Sequence, residues 1–197
     1  TSPVTLNTEF NYLSAIYTEL ESIGEIDYEY PLKGLKYMKT PERQMQFLTL
    51  EQIDELLHAL ANAQTDAHTV SQICLSIGAR WGEAESLTES QVRDNRIHLI
   101  GTNTKNKKSR SIPIDENLYH QLTRHTRGKN QNERLFNDCL ADFYETLENT
   151  SIILPKGQKS HVLRHTFATH FMMNGGNILT LQKILDHKDI KETLKYA

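Results

Sequence analysis

The sequence predicts a mainly α-helical fold with one small antiparallel β-sheet or hairpin, an α+β class. Apolar residues recur at helical spacing along most of the chain, while only residues 96–114 show the alternation of β-strands. The 197 residues include 38% hydrophobic and 24% charged residues, a balance typical of a folded globular chain. We therefore expect one large domain, or one domain with part of another.

The first predicted element is an amphipathic helix over residues 6–23 that ends near Gly24. Residues 25–41 contain Pro31, Gly34 and three lysines, which indicates an irregular connector. We place a domain boundary near residue 42.

The second domain is predicted to begin with a capped helix. Thr49 and Gln52 form a capping-box pattern ahead of an apolar stripe that starts at Ile53. A helix over about 66–78 and a short one over 81–87 follow, with Arg80 at their junction. Residues 96–100 and 111–114 predict a hairpin or meander with a basic turn, and further helices are expected at about 116–126, 138–149, 160–173, 178–185 and 189–197.

The charges are unevenly distributed along the chain. The net charge is -3, but residues 1–104 hold 7 Lys and Arg against 15 Asp and Glu, while residues 105–197 hold 15 against 10. Because phosphate binding depends on Lys and Arg, the second part suits a polyanion, although a solvated surface of mixed charge gives similar numbers.

The cellular compartment is predicted from two features that the sequence does not show, a membrane span and a secretion signal. No apolar run approaches the roughly 18 residues of a membrane span, and the start at Thr1 shows no secretion signal, so we expect a fragment of a cytoplasmic protein without membrane association. Cys74 and Cys139 allow at most one disulfide, and the apolar surroundings of Cys74 favour a buried thiol in a reducing compartment.

Residues 161–165 carry the strongest chemical signal. Metal-independent phosphodiester chemistry needs cations for the phosphoryl oxygens, a nucleophile and a proton donor. On a helix, Leu163, Phe167 and Phe171 form one apolar stripe that faces the core. Four other residues then lie on a different face, which we expect to point outward to a site: His161, Arg164, His165 and Ala168.

Residues 161–165 allow two other interpretations. A solvated helix edge would be the better interpretation for one His or one Arg alone. A zinc site at His161 and His165 is weaker, because Arg164 between them repels a cation and no Glu completes a His-Glu-x-x-His pattern.

Five motifs occur in order over residues 48–196: Gly78-Ala79-Arg80-Trp81-Gly82-Glu83, Lys105 in a basic turn, the segment from His161 to His170, Leu185-Asp186-His187, and Tyr196 nine positions beyond His187. In this order they resemble the tyrosine recombinases, most closely the integrases of temperate phages. Residues 1–41 resemble the C-terminal part of the family's helical core-binding domain plus a linker. The resemblance assigns residues 42–197 to the catalytic domain, truncated just after the nucleophile, so we expect impaired assembly.

The resemblance implies a role for each matching residue. Arg80 and Arg164 would hold the scissile phosphate. Lys105 would protonate the leaving 5′-oxygen, with Lys107 and Lys108 as rivals for that role. His161 and His187 would bond the phosphate or help move the tyrosine proton, and Tyr196 would be the nucleophile. Glu83 would be structural. Further phosphate contacts are expected from Lys107, Lys108, Arg110 and His165. No metal or other cofactor is implied.

The implied function is site-specific DNA recombination through a 3′-phosphotyrosyl intermediate, for integration or excision of a phage or other mobile element. The expected partners are double-stranded DNA attachment sites, three further copies in a homotetramer, and accessory DNA-bending or directionality proteins. Alternatives are a type IB topoisomerase-like enzyme and a catalytically silent DNA-binding module. Asp186, in place of the family's usual Gly, either lowers activity or is accommodated in its turn.

Overall fold

A computed structural model describes residues 1–40, 45–100 and 109–197. The chain divides into two compact units, Thr1–Gln44 and Met45–Ala197. In the described ranges, no helix combines the length and the apolar character needed to cross a membrane.

The first unit is built on one long helix, α1 (Pro3–Ser22). It begins earlier than predicted because Ser2 caps it, accepting a hydrogen bond from the Thr5 N–H, and Pro3 occupies its first turn. It ends before Gly24, whose φ of 75° is left-handed. Tyrosines from the connector return to this helix: the rings of Tyr37 and Phe10 lie 5.3 Å apart.

The second unit is mainly helical with one small sheet, which confirms the predicted fold class. Its elements are α2 (Leu50–Ala63), α3 (Ala67–Ile77), α4 (Trp81–Glu85), β1 (Val92–Arg93), β2 (Arg96–Leu99), β3 (Arg110–Pro113), α5 (Glu116–Thr126), α6 (Leu140–Glu148), α7 (His161–Met173), α8 (Ile178–Leu185) and α9 (Ile190–Thr193). Short 3-10 segments occupy Glu89–Gln91 and Leu194–Tyr196.

The sheet is antiparallel, in the order β1-β2-β3. Ile97 of β2 is fully buried and pairs with Val92 on one side and Ile112 on the other. Strand β1 was not predicted, because two residues are too few to show alternation. The segment predicted as the basic turn, with Lys105, Lys107 and Lys108, lies outside the described residues.

The core of the second unit is centred on α3, and α7 packs across it. Residue Leu48, fully buried ahead of α2, ties the start of this unit to α7: its N–H donates to Thr166 Oγ1 at 2.9 Å, and its carbonyl lies 3.0 Å from His170 Nε2. The predicted capping box of Thr49 and Gln52 is present. These bonds fix α7 against the rest of the unit.

The prediction of which α7 residues are buried and which face outward is partly wrong. Arg164 and Ala168, expected on an outward face, are buried, whereas Phe167 and Phe171 are only partly buried. The reason is that α7 is covered on two sides: α3 packs on one, and Leu181 of α8 belongs to a second small apolar cluster on the other.

The predicted last helix, over residues 189–197, also differs. It breaks after α9 into the 3-10 turn Leu194–Tyr196.

Candidate active site

The first part of the site is the junction between α3 and α4. Gly78 ends α3 in a left-handed conformation with φ 63°, and Arg80 is the N-cap residue of α4. The Glu83 carboxylate accepts a hydrogen bond from the Arg80 backbone N–H at 2.8 Å and from Arg80 Nη1 at 3.2 Å. The predicted structural role of Glu83 matches these bonds. The Arg80 side chain stays 45% exposed, so its guanidinium is open to solvent.

Arg110, at the start of β3, joins the same carboxylate. Its Nη2 donates to Glu83 Oε2 at 2.7 Å, and its side chain is only 10% exposed. Burial raises the pKa of Glu83, but the hydrogen bond and charge of Arg110, together with those of Arg80, outweigh it and hold that pKa below its ordinary value. The geometry thus places Arg110, expected at a DNA phosphate, against Glu83.

Arg164 is the fixed cation of the site. It is 5% exposed, and two of its nitrogens donate to main-chain carbonyls: Nη1 to Gly78 O at 2.8 Å and Nη2 to Leu185 O at 2.5 Å. Burial and the nearby Arg80 lower the pKa of Arg164 to about 10, so it remains charged at neutral pH. One guanidinium therefore joins the ends of α3 and α8 to α7.

Tyr196 lies beside this cation, in the 3-10 turn after α9. Its hydroxyl is 2.6 Å from His165 Nδ1, and its ring packs on a cluster that includes Ala168 and Leu185. Burial raises the pKa of Tyr196, while the charge of Arg164 opposes the rise. The phenol is therefore protonated at neutral pH.

Three histidines surround the tyrosine and the arginines. Burial, followed by the charges of neighbouring cations, lowers the pKa of His165 and of His187 to about 4 and also lowers that of His161. The ring of His161 lies 6.4 Å from that of His165, and His187 Nδ1 bonds Thr193 Oγ1 at 2.8 Å. All three imidazoles are neutral near pH 7.

Among the described residues, no third ligand completes a zinc site at His161 and His165. Within the parts of the chain that the structure describes, no group of three or more His, Cys, Asp or Glu side chains is arranged to hold a metal ion. The contact of His165 Nδ1 is instead the Tyr196 hydroxyl.

Asp186 forms the turn that the sequence motif requires. It caps α8 in the left-handed region, with φ 53° and ψ 44°, and the His187 N–H that follows donates to Gln182 O at 3.1 Å. The aspartate is thus accommodated where Gly is usual, and His187 keeps its place beside the cations.

The structure brings together most residues that the sequence singles out: Arg80, Arg110, His161, Arg164, His165, His187 and Tyr196. Lys105, Lys107 and Lys108 are not among the described residues. Three features escaped sequence reasoning: the carbonyl partners of Arg164, the pairing of Arg110 with Glu83, and the contact of His165 with Tyr196. All three join residues far apart in sequence, so no local pattern marks them.

Comparison with known proteins agrees with this geometry. Residues 46–197 match the sequence profile of the phage integrase family, and residues 1–39 match that of the phage integrase N-terminal domain. The integrase of Escherichia phage 186 is 49% identical over 100% of this chain and 56% of its own length, and that of Haemophilus phage HP1 is 46% identical over 98% of this chain and 55% of its own.

Among solved structures, the catalytic domain of bacteriophage HP1 integrase superposes with a TM-score of 0.70 at 47% identity, covering 78% of this chain and 87% of that one. The chain spans little more than half the length of the curated relatives it matches. The profile match over residues 46–197, the identity to phage integrases and the shared fold show that this chain belongs to the phage integrase family of tyrosine recombinases.

Proposed function

We propose that the chain is the active-site part of a site-specific DNA recombinase, an integrase that cleaves and rejoins DNA through a 3′-phosphotyrosyl intermediate. The observation that carries the proposal is the juxtaposition of a phenol, Tyr196, with a buried and fixed guanidinium, Arg164, close to the exposed Arg80. The relatives named integrases support the same function.

The two arginines suit a phosphodiester in different ways. Arg164 is held by Gly78 O and Leu185 O, so it offers a positive charge that needs no rearrangement when DNA arrives. Arg80 is exposed enough to meet a phosphate directly. Together they compensate the charge that builds on the two non-bridging oxygens in the pentacoordinate transition state.

Tyr196 supplies the nucleophile in this mechanism. Its oxygen attacks phosphorus, the bond to the 5′-oxygen breaks, and the energy of the phosphodiester is kept in a phosphotyrosine that another 5′-hydroxyl can attack. Lys105 is proposed as the acid that protonates the departing 5′-oxygen, and Lys107 and Lys108 as contacts to backbone phosphate. His161 and His187 are proposed to bond the phosphate. The reaction consumes neither a metal ion nor ATP.

The proposed assembly is a homotetramer on two double-stranded attachment sites, working in the host cytoplasm with accessory DNA-bending or directionality proteins. Its use would be the integration or excision of a phage or other mobile element. Residues 1–41 are proposed as the end of a core-binding domain with its linker, and 42–197 as the catalytic domain. The silent-module alternative is not favoured, because Asp186, its one sign, is accommodated in the expected turn.

A covalent-trapping experiment tests the proposal. The full-length protein is mixed with a nicked attachment-site DNA that cannot be rejoined, in excess EDTA, and adducts are separated under denaturing conditions. We expect Tyr196→Phe to bind DNA as the parent does but to form no adduct, because only the nucleophilic oxygen is lost. Tyr119→Phe, a partly buried tyrosine on α5, is the matched control and should keep the adduct. An adduct with Tyr196→Phe would show that another residue attacks, and loss of cleavage in EDTA would revive a metal mechanism.

A further inference from the structure

The contact between Tyr196 and His165 has no role in the mechanism given above. The Tyr196 oxygen and His165 Nδ1 are 2.6 Å apart, and the two ring centroids are 5.8 Å apart. His165 lies on α7 directly after Arg164, so a well-packed helix fixes its Cα and the direction of its Cβ. The phenol oxygen, which is the reacting atom, therefore has an imidazole nitrogen as its neighbour.

The other two histidines are less well placed to serve the phenol. His187 Nδ1 is engaged by Thr193 Oγ1, a fully buried hydroxyl. The ring of His161 lies 6.4 Å from that of His165, and in the described parts of the chain the phenol makes its side-chain hydrogen bond to His165 alone. The expectation that His161 or His187 moves the tyrosine proton thus has less geometric support than a role for His165.

We propose that His165 is a further catalytic residue, which accepts the proton of Tyr196 during cleavage and returns it during rejoining. This inference rests on the proposed function and deepens it. It also replaces the expectation that His165 contacts a DNA phosphate, because its Nδ1 faces the nucleophile.

The proton and electron pairs balance in both directions. As the Tyr196 oxygen bonds to phosphorus, its proton moves to His165 Nδ1, and the bond from phosphorus to the 5′-oxygen breaks as that oxygen takes a proton from the proposed acid, Lys105. In rejoining, a 5′-hydroxyl attacks phosphorus and loses its proton to the lysine, and the departing tyrosinate takes its proton back from His165. No oxidant, reductant or cofactor is consumed.

The surroundings of His165 suit a base that acts only with DNA in place. Burial and the charges of Arg164 and Lys195 disfavour its protonated form in the free protein, so the ring is neutral and the phenol keeps its proton. In the tautomer with its hydrogen on Nε2, the Nδ1 lone pair accepts from the phenol. An incoming phosphate brings negative charge to the same cations. The field that opposes protonation of His165 is then weakened, and its basicity rises at the step that needs it.

His165→Asn tests the proposal, because the short amide offers an oxygen near the position of Nδ1 but cannot accept a proton at neutral pH. On the nicked DNA we expect unchanged DNA affinity and adduct formation slowed by about a hundredfold or more. A 5′-thio leaving group, which needs no acid, should not restore the rate. His58→Asn, an exposed histidine on α2, is the matched control and should react at the parental rate.

The outcomes separate the two proposals. If the parent forms adduct and His165→Asn forms it within a few-fold of the parental rate, the role of His165 is overturned while the recombinase function stands. If the variant loses affinity for DNA but its bound complex reacts normally, His165 is a phosphate contact and the proposal is likewise overturned. A parent that forms no adduct overturns the recombinase function, and with it the inference.

A measurement on the free parent protein tests the proposal even if His165→Asn folds poorly. Nitrogen-15 NMR of the parent should show His165 neutral, with its hydrogen on Nε2 and Nδ1 accepting a hydrogen bond. Tyr196→Phe should move the Nδ1 resonance. A hydrogen on Nδ1 would mean that the imidazole donates to the phenol, and that result would overturn the proposal.

Discussion

One carboxylate, that of Glu83, holds two arginines in the site. It bonds the main chain and the guanidinium of Arg80 as well as the guanidinium of Arg110, which is almost fully buried. Removing the counter-charge that a buried cation contacts is costly, on the order of 3 kcal/mol. The placement of Arg80 therefore depends on the Glu83 carboxylate.

Glu83→Gln should lower the free energy of unfolding by about 3 kcal/mol, because the buried Arg110 loses the carboxylate that it contacts. Urea denaturation followed by circular dichroism measures the loss. Glu116→Gln, which breaks an exposed pair with His120 on α5, is the control and should cost less than about 0.5 kcal/mol. Equal, small losses in both variants would mean that the Glu83 cluster does not stabilise the fold.

The histidines predict how stability depends on pH. His165 and His187 have pKa values of about 4 in the folded protein against an ordinary value of 6.5. Between pH 4 and 6.5 the two histidines bind protons in the unfolded chain but not in the folded chain. The stabilisation is therefore complete above pH 6.5 and is lost as the pH falls toward 4.

We expect this contribution to be on the order of 3 kcal/mol for the two residues, after allowance for their partial exposure. Urea denaturation between pH 4.5 and 7 measures it. The double variant His165→Asn and His187→Asn should show a flatter profile than the parent, and His58→Asn should follow the parent. Parallel profiles for the double variant and the parent would contradict the depressed pKa values.

Residue identities at the site were readable from the sequence, but their surroundings were not. Spacing singled out Arg164 and Tyr196, because His-x-x-Arg and a distant Tyr are recognisable patterns. Periodicity could not show that Arg164 is buried, because its partners are carbonyls at Gly78 and Leu185. Every residue has a main-chain carbonyl, so the sequence does not show which one accepts a hydrogen bond from Arg164.

At the scale of elements, the end of α3 lies close against side chains of α7 and α8. A Cβ on Gly78 would lie 2.4 Å from Phe167 Cδ1 and 2.8 Å from Leu185 Cδ2, and the φ of 63° already disfavours a side chain. Its carbonyl also receives the Arg164 bond. This glycine therefore sets how closely α7 and α8 pack on α3.

Gly78→Ala should destabilise the fold by about 3 kcal/mol, the sum of left-handed strain and overpacking, and should slow adduct formation because Arg164 is displaced. Gly128→Ala is the matched control: its φ is 77°, and no described atom lies within 4 Å of the new methyl. It should lose only the strain, about 1 kcal/mol, and keep its activity. Thermal or urea unfolding of both variants measures the difference, and equal losses would show that packing at Gly78 contributes nothing.

Most helices could be predicted because their ends carry local signals. Asp115, Asn177 and Gly78 mark a start or an end through a cap that the sequence shows. The last helix was overestimated: Asp189 caps α9, but the chain tightens into a 3-10 turn from Leu194. That turn is joined to α7 by the Tyr196 contact, a tertiary interaction that periodicity does not contain.

At the scale of the whole molecule, the acidic first part and the basic second part of the sequence predict strong salt dependence despite the net charge of -3. Charges farther apart than about 8 to 10 Å are largely screened at physiological ionic strength, so acidic residues beyond that distance do little to oppose local phosphate contacts. Each neutralised phosphate should contribute about 0.9 to the slope of log affinity against log salt.

Fluorescence titration of the full-length protein with attachment-site DNA between 50 and 300 mM NaCl measures this slope. We expect affinity to fall steeply, and Lys107→Ala or Lys108→Ala to reduce the slope by about one each. Glu116→Gln should leave it unchanged. A flat profile for the parent would contradict binding through phosphate contacts.

The bonds that build the site also set the order in which it forms during synthesis. Leu48 bonds Thr166, which is synthesised 118 residues later, and Gly78 bonds Arg164, which is synthesised 86 residues later. In a chain still leaving the ribosome, which folds from its N-terminal side, α3 is synthesised long before Arg164 and Tyr196. A chain that stops before these residues lacks the fixed cation and the phenol, so the arrangement described for the site forms only in a chain translated through Tyr196.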